Sequence, residues 1–139
     1  MKVDTEHQGL IEVPDDKILV MPEGMPGFPG AKRFVILDRE DTRPLFTYQC
    51  ADDPFVSFLI IDPRLVEPDY RVDLQAVQAE KWPESPSEGL ETYVIVNTNR
   101  GPGHITVNLM APLIVNTTER QAVQVVLQDG SHSHRHPLK

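Results

Sequence analysis

Six short apolar runs, rich in β-branched residues and separated by proline, glycine and acidic turns, set the pattern of this chain. They lie at 18–21, 33–37, 55–61, 92–96, 105–115 and 122–127. Each reads as a strand, because valine, isoleucine, tyrosine and phenylalanine suit the pleated, half-buried surface of a sheet. Thirteen prolines, spread from Pro14 to Pro137, delete backbone donors and break helix interiors, so long helices alternating with strands do not fit. The pattern predicts an all-β, antiparallel fold, a small barrel or else a sandwich.

One stretch departs from it. Val72, Leu74, Ala76, Val77, Ala79 and Trp82 leave room for a single short helix, with Asp73 as its N-cap and Trp82 closing it against the core. The alternative is a strand over 69–72 that turns into the helix. The segment 83–89 lacks apolar residues and reads as an exposed loop. The 139 residues suffice for one core, so residues 1–130 are taken as a single domain and 131–139 as a polar, histidine-rich tail with mobile last residues.

Charge narrows the class of partner. Thirteen Lys and Arg against 21 Asp and Glu leave a net charge of -8, which repels nucleic acid and anionic lipid and favours a basic partner. Cys50 is the single cysteine, which excludes an intramolecular disulfide and suits a reducing cytoplasm. Its apolar surroundings make it a small hydrophobe. No run approaches the ~20 apolar residues that a membrane helix needs. Nucleotide-binding glycine loops, the serine elbow and the H-E-x-x-H zinc motif are absent from the sequence, so no catalytic residue is assigned.

Three segments go further. Glu23-Gly24-Met25-Pro26-Gly27-Phe28 is a turn on two glycines and a fixed-φ proline that presents Phe28. Residues 44–63 pair two strands across the acidic turn of Asp52 and Asp53. Thr106-Val107-Asn108-Leu109-Met110-Ala111-Pro112-Leu113-Ile114-Val115-Asn116 is a distinctive block, followed at a fixed distance by Gln124-Val125-Val126-Leu127. Together these resemble the FliW family of flagellar assembly factors, in order and spacing, from Ile18 to Leu138. The chain departs from that family in its last strand, where a histidine stands in place of a common tyrosine.

The resemblance implies a non-enzymatic, cytoplasmic β-barrel without cofactor that binds flagellin and also CsrA, a small basic translational repressor. Flagellin in excess would occupy the protein and leave CsrA free to repress flagellin translation. For a basic partner the candidate contacts are Glu67, Asp69 and Asp73 around Tyr70, with Asp52 and Asp53. For flagellin they are the apolar residues Phe28, Phe55 and Met110. Asn108 and Asn116 are candidates to fix partner backbone, although turn asparagines more often satisfy their own chain.

Two other functions remain open. His132, His134 and His136 alternate, and on a strand would share one face; with His104 they would make a metal-dependent barrel enzyme, though no carboxylate follows them as barrel metal sites require. A general export chaperone would instead bind many extended peptides at a sheet edge.

Overall fold

The computed structural model describes residues 1–98, 105–128 and 132–138. In chain order the strands are β1 (Lys2–Thr5), β2 (Gly9–Glu12), β3 (Leu19–Val20), β4 (Arg33–Asp38), β5 (Phe46–Cys50), β6 (Ser57–Ile61), β7 (Leu90–Asn97), β8 (Thr106–Val107), β9 (Leu113–Asn116), β10 (Gln121–Gln124) and β11 (His136–Pro137); the helix α1 (Leu74–Lys81) precedes β7. Seven strands close a ring in the order β7-β6-β5-β4-β3-β10-β9, with β9 returning to β7. All contacts in the ring are antiparallel except β3 with β10, a parallel seam at Val20 and Gln121. Among the two expected forms the barrel is the one found, with that single parallel seam.

The interior holds Leu19, Phe34, Tyr48, Cys50, Ile60, Leu113, Val115 and Ala122, all nearly inaccessible. The strands do not alternate cleanly in sequence because their outer faces are covered too. Val35 and Leu37 of β4 lie under the β1–β2 hairpin through Val3 and Ile11. Ile114 and Val123 lie under Val77 and Trp82, and Ile61, Val94 and Val96 under Tyr70 and Leu109. The hairpin escaped the sequence reading because its two short strands mix charged Lys2, Asp4 and Glu12 with an exposed Leu10, which hides the inward Val3 and Thr5 and the adjoining Val13.

The expected strand over 105–115 is two strands. Both β8 and β9 pair with β7, yet the three steps from Tyr93 to Val96 oppose the six from Leu113 back to Val107, so three extra residues bulge out. Asn108 makes the bulge: its Oδ1 accepts from Met110 N at 3.1 Å and Ala111 N at 3.2 Å. Proline at 112 then lacks an amide for the ladder.

Helix α1 is found where the sequence placed it, and residues 69–72 before it form no strand. Asp73 caps it by accepting from Ala76 N at 3.1 Å, and Trp82, 7% exposed, donates from Nε1 to Gln121 Oε1 at 2.8 Å. The following loop is exposed at Pro83, Glu84, Pro86 and Glu88 and half-buried at Ser87 and Gly89, while Ser85 is buried against Asn116. The segment set apart as a tail returns to the barrel: His136 and Pro137 pair with Val107 and Thr106 of β8.

Candidate functional site

The two barrel ends differ. One is plugged by residues 21–32, a chain of tight turns in which Gly24 N donates to Met21 O, Phe28 N to Met25 O and Ala31 N to Phe28 O. Gly24 takes φ +73°, and a Cβ there would stand 2.8 Å from the Pro29 carbonyl oxygen. Only glycine fits both the dihedral and the space. The turns drive Met25, 2% exposed, into the core and leave Phe28 45% exposed at the surface, edge-on to Phe58 with centroids 5.7 Å apart.

The β5–β6 turn emerges at the same end and is fixed from inside. Gln49, 2% exposed, directs its Nε2 at the carbonyl oxygens of Cys50 and Asp53, at 3.0 and 3.2 Å, with Pro54 and Val56 both at 3.4 Å. Asp53 Oδ1 accepts from Phe55 N at 2.9 Å, and Arg33 grips the Asp52 carboxylate with Nε and Nη2. The Arg33 guanidinium holds the Asp52 carboxyl below its ordinary range, chiefly through those hydrogen bonds. Phe55 at the tip is 75% exposed. Asp52 and Asp53 are therefore exposed as expected, but each also shapes the turn that carries Phe55.

The opposite end is open. Leu19, Ile36, Phe46, Tyr93 and Val115 line a hollow of about 600 Å³ whose rim carries Asp16, Lys17, Asp38, Glu91 and Arg120. Phe46 and Tyr93 meet edge-on at 5.8 Å. Burial, and then the charge of Glu91, pushes the Tyr93 hydroxyl up to about 12, so it stays a neutral donor. None of these residues was singled out from sequence; the only signal was their inward position in the strand runs.

The acidic stretch is divided. Asp69 and Asp73 are exposed and Glu67 is half-buried, with Arg64 and Arg71 between and beside them, and Asp73 is engaged as a helix cap. Tyr70 is not on that surface: it is 4% exposed and its hydroxyl donates to Leu109 O at 2.7 Å. Its apolar ring is more stable beneath the strands than beside the acids. Asn116 is likewise fully buried, donating to Ser85 Oγ at 3.2 Å and accepting from Glu119 N at 3.0 Å, so it cannot reach a partner. Asn108 is half-buried and its Oδ1 serves the bulge. Met110 sits half-buried in that bulge.

The tail histidines do not share a strand face. His132 lies against the Tyr70 ring, centroids 4.7 Å apart; His134 is in a turn and His136 is in β11. Among the described residues no group of three His, Cys, Asp or Glu converges as a metal-binding set. His104 lies outside the described residues. No helix among those described is long and apolar enough to cross a membrane.

The molecule is thus a small closed β-barrel with one plugged end, polar side chains directed into its turns, and Phe28 and Phe55 exposed at that end. Comparison with known proteins gives the family. The description "FliW protein" matches residues 2–138. The flagellar assembly factor FliW of Treponema denticola is 34% identical over 99% of this chain and 93% of its own length. That of Syntrophus aciditrophicus is 33% identical over 99% and 87%. A crystal structure of the flagellar assembly factor FliW superposes with a TM-score of 0.89 at 31% identity, over 100% of this chain and 97% of that one. The chain belongs to the FliW family of flagellar assembly factors.

Proposed function

We propose that this protein acts in the cytoplasm as a partner-switching regulator without catalytic activity, binding flagellin and CsrA in exchange and so relieving CsrA repression of flagellin translation. Family membership supports the setting, flagellar assembly. The observation that carries the binding role is Phe55, 75% exposed on a turn that Gln49 and Asp53 hold from within. An exposed aromatic fixed in advance loses little conformational freedom on binding, which makes it an efficient anchor.

Phe28, braced by Phe58, extends this anchor at the plugged end, and an apolar surface of this kind suits flagellin. The CsrA contact is assigned to the exposed acids Asp69 and Asp73 with the half-buried Glu67, and to Asp52 and Asp53. The net charge of -8 speeds encounter with a basic protein and makes the contact salt-sensitive.

Size-exclusion chromatography of the full chain with purified CsrA and with purified flagellin, separately and mixed, tests the reading. Co-elution with each alone, and displacement of CsrA by flagellin in the mixture, is expected. A Phe28→Ala, Phe55→Ala chain is expected to bind flagellin at least tenfold more weakly and to keep CsrA. Elution apart from both proteins at low ionic strength would end the proposal.

A further inference from the structure

The C-terminal segment 132–138 lies on the outer edge of β8, and its attachment is slight. Only His136 and Pro137 pair with β8, opposite Val107 and Thr106. Beyond them Leu138 N donates to Ile105 O, and Leu109 N donates to Ser133 O, both at 2.9 Å. Pro137 has no amide and can accept but not donate in the ladder. The side chain of Leu138 is half-buried against the cluster of Ile61, Tyr70, Val94, Val107 and Leu109.

What the segment covers is unlike an ordinary sheet edge. Val107, Leu109 and Tyr70 are 0%, 2% and 4% exposed, so beneath the strap lies an apolar floor beside the β8 edge that His136 and Pro137 occupy. That combination is what strand addition uses: main-chain hydrogen bonds for affinity and a side-chain pocket for selection. The chain's own segment displays the chemistry the site accepts, an extended backbone followed by one branched apolar residue in the pocket.

We propose that the outer edge of β8 with its Tyr70–Leu109 floor is an exchangeable docking site for an extended partner peptide, which pairs with Thr106 and Val107, seats a leucine-like side chain where Leu138 sits, and displaces residues 132–138. The proposal deepens the partner-binding reading and rests on it. The strap acts as a competitor in cis, so a partner binds only when its segment outmatches a weak two-residue strand.

A fluorescent peptide with the sequence of residues 132–138 tests the site independently of CsrA and flagellin. Anisotropy titrations compare the full wild-type chain, whose site is filled, with the full Leu138→Asp chain, whose strap is weakened by a charge in place of its half-buried apolar anchor. The variant is expected to bind the peptide at least tenfold more tightly; equal affinity in a variant with native circular dichroism overturns the proposal. Amide exchange on the wild-type chain decides independently of that variant's folding. The Leu109 and Leu138 amides are expected to exchange at least a hundredfold faster than those of the β4–β5 ladder. Protection equal to that ladder, or elution as a strand-exchanged dimer, also overturns it.

Discussion

The ring of Phe34 stacks on that of Tyr48 with centroids 4.4 Å apart and planes 1° from parallel, and the hydroxyl that ends this stack, wholly buried, has no hydrogen-bond partner among the described residues. Burial pushes the Tyr48 pKa far above its ordinary value, so the group is a neutral phenol inside the barrel. The ring contributes packing, while burying the oxygen carries a desolvation cost that no hydrogen bond from the described residues offsets.

Tyr48→Phe therefore keeps the stack and removes the orphan. Urea denaturation is expected to show the variant more stable by about 1 kcal/mol. A loss of that size instead would mean the hydroxyl has a partner, such as an internal water.

The plug gives a paired prediction. Gly24 and Gly27 both have positive φ, +73° and +87°, but only at Gly24 does a Cβ meet another atom, the Pro29 carbonyl oxygen. Gly27→Ala is expected to cost about 1 kcal/mol from the dihedral alone. Gly24→Ala adds the clash and is expected to cost over ~2 kcal/mol, and to shift the environment of Phe28. Equal midpoints for the two variants in denaturant would show that the plug yields freely.

Acid should loosen the Phe55 turn. Arg33 holds the folded Asp52 pKa below its unfolded value, so the pair contributes stability above the unfolded carboxyl's pKa, about pH 4, and loses it as pH falls through the folded value. Both side chains are nearly half exposed, which limits the contribution to under about 1 kcal/mol. Asp52→Asn is expected to lower the thermal midpoint at pH 7 and to lower it less at pH 3. An equal shift at both would exclude the ion pair as its cause.

Charge reversal separates binding from folding on the acidic stretch. Glu67→Lys with Asp69→Lys spares the Asp73 cap, whose loss alone would cost about 1 kcal/mol. The double variant is expected to keep its thermal midpoint and bind CsrA at least tenfold more weakly at low salt. Unchanged affinity, measured by calorimetry, would remove these acids from the contact.

Much of this was legible from local chemistry. The runs around Phe34, Phe58, Val94 and Val115 are strands, Asp73 caps the helix, and Gly24-Met25-Pro26-Gly27 is a turn. Tyr70 reads as surface beside Glu67 and Asp69, whereas burial is set by what arrives from elsewhere in the chain, here Leu109. Asn116 follows the commoner expectation for a turn asparagine, serving its own chain through Ser85 and Glu119. Phe46 and Tyr93 form the open mouth although 47 positions separate them.

Local chemistry was enough to locate the strands of the ring's main runs, the turns between them and the sign of the field, because these follow from side-chain shape, backbone permission and charge counted along the chain. That the sheet closes, that one end is plugged and the other open, that a β1–β2 hairpin covers β4, and that the histidine-rich segment is a strap on β8 emerged from the folded arrangement alone. Those outcomes depend on which distant edges find each other's hydrogen bonds, and pairing across a barrel leaves no periodic mark along the chain.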